Sequence, residues 1–381
     1  MQFATVFATF TFLVASLVQG QTIPGQYIVS FDNKSRSSFE SNVQAVQNLF
    51  TSRDSSNVVL QKYDAVFNGI SAKLDKATLE KVKALPNVEY IEEDAVVKTL
   101  ASQSNAPWGL ARVSQRPKLG AAPHTYLYDA NAGDGVNIYV LDTGLNIAHV
   151  DFTGRASWGT TTSTGTSNTD LHGHGTHCAG SAAGTTYGVA KKAKIIAVKV
   201  LGDNGSGTLS ETIAGINWVV KNKSGVKGNV ISMSLGGNKN VATNQAVNDA
   251  VAQGVITVVA AGNSNADACN FSPASADKAI TVGSIDINDN KASSSNWGPC
   301  VDIHGPGVNI LSAWKGSTTA SNTISGTSMA TPHIAGLVAT LLSQGVPTSD
   351  VENKLKSIAT LDKIQGLPAN TVNLLGYNGI N

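Results

Sequence analysis

From Val136 onward the chain repeats one hydrophobic pattern: a nearly continuous apolar run, a glycine-rich stretch, then an amphipathic segment. The runs are "VNIYVLDTG", "KIIAVKVL", "NVISMSLGG" and "VITVVAAGN", with "SETIAGINWVVKN" and "NQAVNDAVAQG" between them. Apolar runs without alternation predict strands buried on both faces, and the spacing in the intervening segments predicts helices. Alternating βαβ units predict an α/β fold, a mostly parallel sheet flanked by helices in three layers. Ligands bind such sheets beyond the C-terminal strand ends, where Asp142, Gly236–Gly237 and Gly262–Asn263 fall.

The pattern before residue 100 is different, being charge-rich and nearly free of glycine. "QYIVSF" predicts a strand, "SSFESNVQAVQNLFTS" an amphipathic helix, and "VVLQKYDAVFNGISAKL" two strands bending at Gly69. "DKATLEKVKAL" predicts a helix capped by Asp75, and "VEYIEEDAVV" a last strand. The order β-α-β-β-α-β is that of a small ferredoxin-like α+β domain. "KTLASQSNAP" then reads as an exposed polar linker, a place where proteolytic processing falls.

The first twenty residues are apolar and end in Val18-Gln19-Gly20, which predicts a secretory signal peptide over 1–20, although no basic n-region precedes it. A membrane anchor is the alternative. No other segment approaches the roughly 18 uninterrupted apolar residues of a spanning helix. The expected product is soluble and extracellular, without membrane attachment. A net charge of +1 over 381 residues gives no reason to expect a nucleic-acid partner. Export allows disulfides, and three cysteines allow one intramolecular pair. Cys269 and Cys300 sit in loop-like sequence and are the expected pair, leaving Cys178 as a buried thiol. Asn33, Asn204, Asn222 and Asn270 begin glycosylation sequons, the last weakened by the proline after its serine.

Three segments bring chemistry to the strand ends. "VLDTG" places the Asp142 carboxylate there, "HGHGTHCAGSAAG" opens a small-residue helix with histidines, and "SGTSMATPHIAGLVATLL" places Ser328 before an apolar helix. A serine hydroxyl is a poor nucleophile until an imidazole takes its proton, and a carboxylate holds that imidazole in the required tautomer. A zinc reading on His172, His174 and Cys178 lacks a completing ligand cluster such as HExxH. Cys178, among alanines and glycines, fits a packed thiol better than a nucleophile.

The order Asp…His…Ser, with "DTGL", "HGHGTHCAG", "AAGN" and "GTSMATPHIAG", resembles the signature segments of the subtilisin-like serine proteases. "NAPWGLARVS" and the cysteine beside the histidines are similar to the proteinase K branch, secreted fungal enzymes with an inhibitory propeptide. The resemblance implies a signal peptide over 1–20, an inhibitory propeptide over 21–100 and a catalytic domain over 101–381. It makes Asp142 the orienting acid, His174 the general base, Ser328 the nucleophile and Asn263 an oxyanion donor, while His172 and His177 serve the structure. It implies a substrate-lining segment at Gly205, Ser206, Gly207 and Leu209, and another at Ser234, Leu235 and Gly236. The P1 pocket would lie between that second segment and Ala260, Ala261 and Gly262. Protein and peptide substrates with apolar or aromatic P1 residues follow, with the chain's own propeptide as inhibitor and a monomeric enzyme.

The same resemblance implies structural calcium, bound by the Asp302 carboxylate and the Asp277 and Ala279 carbonyls, and no catalytic metal. A second, weaker calcium site is not expected, because Arg116 stands where an oxygen ligand would be. The cysteine placement departs from the two disulfides of the fungal prototype and is closer to related bacterial enzymes. A catalytically dead binding module and a metal-dependent hydrolase built on the histidines are the rival readings.

Overall fold

A computed structural model of the chain describes residues 22–32, 38–50, 56–95 and 100–380. The expected signal peptide and the Asn33 sequon lie outside these residues. The chain divides into two compact units, residues 1–98 and 99–381.

The first unit runs β1 (Thr22–Phe31), α1 (Phe39–Gln47), β2 (Val58–Tyr63), β3 (Gly69–Lys73), α2 (Lys76–Lys83) and β4 (Val88–Ala95). Its four strands pair antiparallel in the order β2-β3-β1-β4, as the split βαβ pattern requires. One face of the sheet buries Val29, Ile70 and Ala72 against Val43 and Val46 of α1 and Leu79 and Val82 of α2. Asp75 caps α2 by accepting from the Thr78 N–H at 2.8 Å.

The second unit opens with β5 (Leu100–Ser104), α3 (Trp108–Arg112), β6 (Thr125–Asp129), β7 (Val136–Asp142) and β8 (Ala156–Thr161). It continues with α4 (His174–Ala183), β9 (Lys194–Lys199), α5 (Leu209–Asn222), β10 (Gly228–Met233), β11 (Gly237–Asn238), α6 (Val241–Ala252) and β12 (Val255–Ala260). Then come β13 (Phe271–Ser272), β14 (Ile280–Ile285), β15 (Ile303–Pro306), β16 (Ile310–Ala313), β17 (Ser321–Ile324), α7 (Thr327–Ser343), α8 (Val351–Ile358), β18 (Thr360–Leu361) and β19 (Leu374–Leu375).

Nine strands form one sheet in the order β18-β19-β15-β14-β12-β10-β7-β9-β8. Every neighbouring pair is parallel except β18 and β19. The unbroken apolar runs are explained by burial on two sides. Ile138, Val140, Ile195, Ala197, Val230 and Val258 pack with α4 and α7 on one face. Tyr139, Leu141, Ile196, Val198, Ile231 and Val259 pack with α5 and α6 on the other. Each of the Val, Leu and Ile side chains contributes about 1.5–3 kcal/mol of transfer free energy, which fixes the strands between two helical layers.

The segment expected as an exposed linker is corrected in part. Leu100–Ser104 forms β5, paired antiparallel with β6 from Leu100↔Asp129 to Ser104↔Thr125. Gln103 Nε2 also donates to the Thr186 carbonyl at 2.9 Å. Strand pairing satisfies the backbone whatever the side chains, and Leu100–Ser104 has no apolar face for hydrophobic periodicity to detect. Cys269 and Cys300 form the expected disulfide, and Cys178 is a buried thiol. No helix among the described residues is long and apolar enough to cross a membrane.

Candidate active site

Asp142 ends β7 and is fully buried, and His174 is the first residue of α4. The imidazole Nδ1 lies 2.8 and 2.9 Å from the two carboxylate oxygens. An ionised carboxylate only accepts, so Nδ1 carries the proton and Nε2 keeps a free lone pair. Burial by itself would lower the His174 pKa, but the Asp142 charge and hydrogen bond, together with Cys178, outweigh it and hold the pKa well above the ordinary imidazole value. The start of α4 needs glycine. Gly173 has φ +102°, and a Cβ there would meet the Trp314 ring at 2.6 Å.

Ser328 sits in the first turn of α7, after Gly326. Gly326 has φ +152°, a backbone conformation that L side chains rarely adopt, and a Cβ there would only touch the Asn263 amide at 3.4 Å. Four residues on, Pro332 lies inside the helix. It has no N–H to offer the Ser328 carbonyl, which an ordinary helix would have satisfied. Ser234 Oγ takes that acceptor at 2.8 Å, with the Cys178 thiol at 3.4 Å. The Ser328 hydroxyl in turn donates to the Ser234 carbonyl at 3.1 Å. No hydrogen bond among the described residues joins it to His174, and one staggered rotation of the side chain would release it.

Asn263, just beyond β12, accepts from the Thr327 N–H at 2.8 Å and the Thr327 hydroxyl at 3.2 Å, both at Oδ1. These two donors fix the amide orientation and leave Nδ2 as the free donor. The Ser328 N–H belongs to the first turn of α7, whose N–H groups have no partner inside the helix.

Two cavities adjoin these residues. The first, about 420 Å³, is lined by His174 and by Gly205, Ser206, Gly207, Leu209, Ser234, Leu235 and Gly236. The second, about 280 Å³, is lined by Leu235, Gly236, Ala260, Ala261, Gly262, Asn263 and Ser328, and none of its lining residues is charged. Every residue expected to line substrate therefore faces one of the two. Sequence reasoning missed Phe271, which lines the second cavity, and Pro273, which lines the first. Both are in or just after the two-residue strand β13, too short for any periodicity to mark.

The other histidines separate. His177 is fully buried, pushed down to about 4 by burial, and its Nε2–H donates to the Ile310 carbonyl at 2.9 Å. His172 lines the first cavity beside His174, which goes beyond the structural role expected of it. The zinc set of His172, His174 and Cys178 does not assemble. The group within ligand reach is Asp142, His174 and Cys178, and Nδ1 is already committed to Asp142. Burial pushes the Cys178 thiol up, which keeps it protonated and disfavours it as a nucleophile.

The calcium ligands meet a different arrangement. Asp302 Oδ1 pairs with Lys356 Nζ at 2.8 Å, and Oδ2 accepts from the Thr281 N–H at 2.9 Å. Lys356 also holds Glu352 at 2.7 Å. Asp277 is exposed and Ala279 is buried just before β14. With an ammonium on its carboxylate, this set does not fit a divalent ion as it stands. Arg116 donates to the Ala359 and Ile358 carbonyls at 3.1 and 3.2 Å, at the end of α8. Of the sequons, Asn204, Asn222 and Asn270 are exposed.

Residues 133–380 match the subtilase family, and residues 26–100 match peptidase inhibitor I9. The chain is 43% identical to subtilisin-like proteinase Spm1 of Pyricularia oryzae, over 96% of this chain and 79% of that protein. It is 48% identical to subtilisin-like protease 8 of Arthroderma benhamiae, over 82% of this chain and 69% of that one. Among solved structures, a cold adapted subtilisin-like serine proteinase is 44% identical with a TM-score of 0.68, covering 72% of this chain and 99% of its own. A buried Asp–His pair at the ends of a parallel sheet, a helix-borne serine and a match running through most of the second unit lead to one assignment: the chain belongs to the subtilase family of serine proteases and carries an I9 inhibitor domain ahead of its catalytic domain.

Proposed function

We propose that the chain is the precursor of a secreted, broadly specific serine endopeptidase, with Asp142, His174 and Ser328 as its triad. The observation that carries this reading is the Nδ1 contact of His174 with both Asp142 oxygens, beside a cavity lined by Ser328 and Asn263. His174 Nε2 takes the Ser328 proton as Oγ attacks the scissile carbonyl, and Asp142 stabilises the imidazolium. Asn263 Nδ2 and the Ser328 N–H donate to the oxyanion. His174 then protonates the leaving amine, and water hydrolyses the acyl-enzyme by the same steps in reverse.

Substrate binds as an extended strand between the Gly205–Leu209 and Ser234–Gly236 segments, using backbone hydrogen bonds that read no side chain. The uncharged second cavity takes an apolar or aromatic P1 side chain. Residues 1–20 direct export, residues 21–100 inhibit the enzyme until they are cut away near Leu100, and the product acts as a monomer.

The test is phosphonylation of the processed enzyme, peptide mass mapping, and assays on casein and on peptides differing at P1. A single adduct on Ser328 with loss of activity supports the triad. Activity that survives the reagent overturns it. Unprocessed precursor from the S328A variant supports self-cleavage, and recovery of the processed chain from the medium supports export.

A further inference from the structure

Asp170 lies in the loop before α4 and is almost fully buried. Its carboxylate accepts five hydrogen bonds. Oδ1 takes the Thr143 hydroxyl at 2.9 Å, the His172 N–H at 3.1 Å and the Gly173 N–H at 2.7 Å. Oδ2 takes the Thr176 N–H at 2.9 Å and the Thr176 hydroxyl at 2.6 Å. A buried carboxylate is costly unless its lone pairs are filled, and these are.

Apart from the neighbouring His172 N–H, the donors come from two places. Gly173 and Thr176 belong to the first turn of α4, whose N-cap glycine has no side chain to cap it. Asp170 supplies the missing acceptor and sets a negative charge at the helix start. Thr143 follows Asp142, and its N–H donates to Asp142 Oδ1 at 2.7 Å. The Thr143 hydroxyl also accepts from the Gly175 N–H at 3.0 Å. One carboxylate thus clamps the end of β7, which bears Asp142, to the start of α4, which bears His174.

We propose that Asp170 is a positioning residue for catalysis, acting through Thr143 and the α4 N-terminus to fix the Asp142–His174 contact. The inference rests on the triad reading above. An amide in place of the carboxylate sets an NH₂ group against N–H and O–H donors on one oxygen or the other. Asp142 and His174 then lose their common register, and misplacement of about 1 Å costs about 10²-fold in rate.

The experiment compares D170N, T143V, T143S and the double variant D170N/T143V, with S328A as control. Rates of the variants that keep Ser328 are taken per active site titrated with the phosphonylating reagent, so misfolded protein is not counted, and that of S328A per total protein. D170N and T143V are expected to lower kcat about 10–100-fold, with KM within about twofold. The acidic limb of kcat/KM moves to lower pH, because a loosened Asp142 stabilises the imidazolium less. T143S keeps the hydroxyl and stays near wild type, and the double variant falls no further than the worse single variant.

A lower Tm with unchanged kcat per site and an unchanged pH profile would overturn the proposal and make Asp170 purely structural. If D170N yields no folded protein, T143V decides by the same two readouts. Activity retained by S328A would instead sink the triad reading, an outcome distinct from failure of this one.

Discussion

Ser234 and Ser328 exchange hydrogen bonds, each hydroxyl donating to the other's carbonyl at 2.8 and 3.1 Å. The exchange is possible because Pro332 leaves the Ser328 carbonyl without its helical partner. S234A removes one of the two bonds and leaves that carbonyl with the weak Cys178 thiol alone. A net hydrogen bond contributes about 1 kcal/mol, so kcat/KM is expected to fall about fivefold to tenfold. Ser328 should still be phosphonylated, and a variant that loses labelling altogether would show that the exchange does more than align the nucleophile.

The pKa of His174 is held above the ordinary imidazole value of 6.5 despite burial. A general base must be neutral, so activity is lost as pH falls through the raised value. The acidic limb of kcat/KM is expected above pH 6.5 and the working range on the alkaline side. D142N removes the charge, moves the limb down and lowers kcat about 10⁴-fold, the size known for the equivalent change in a Ser-His-Asp protease. An acidic limb near pH 5 in the wild type would contradict this.

Asn263 presents Nδ2 because Thr327 holds Oδ1. N263A should lower kcat about 10²–10³-fold with little change in KM, the magnitude being the one established for the corresponding donor in subtilisin. An equal rise in KM would mean that the amide binds the ground state instead.

At Asp302 the cation is the chain's own. Lys356 bridges Asp302 and Glu352, and a chelator is expected to leave the Tm of the wild type nearly unchanged. K356M strips the ammonium from the carboxylate, so its Tm should fall and then rise again with millimolar calcium. A large chelator-induced loss of Tm in the wild type would show that the ion displaces Lys356.

What the sequence discloses follows from where the information is held. The buried strands were legible because two-sided burial writes continuous apolar runs, as in "VITVVA". The residues of the site were legible because they sit in short motifs at strand ends and helix starts. β5 was not, since "LASQS" is a short surface strand with no apolar face. Asp170 leaves no local sign of its role, because it caps α4 from four residues before His174, with a glycine at the usual cap position. Lys356 approaches Asp302 across 54 residues of sequence, a distance over which no local pattern speaks.

The two helices that carry His174 and Ser328 both begin at a glycine with no side-chain cap, yet their open ends meet different anions. Asp170 gives the first helix a permanent one, built into the chain. At the second, Asn263 Oδ1 takes the Thr327 N–H, and in the proposed mechanism the Ser328 N–H meets an anion only in the short-lived tetrahedral intermediate. One helix start thus holds a negative charge at rest, while the other meets one only while a peptide bond is being broken.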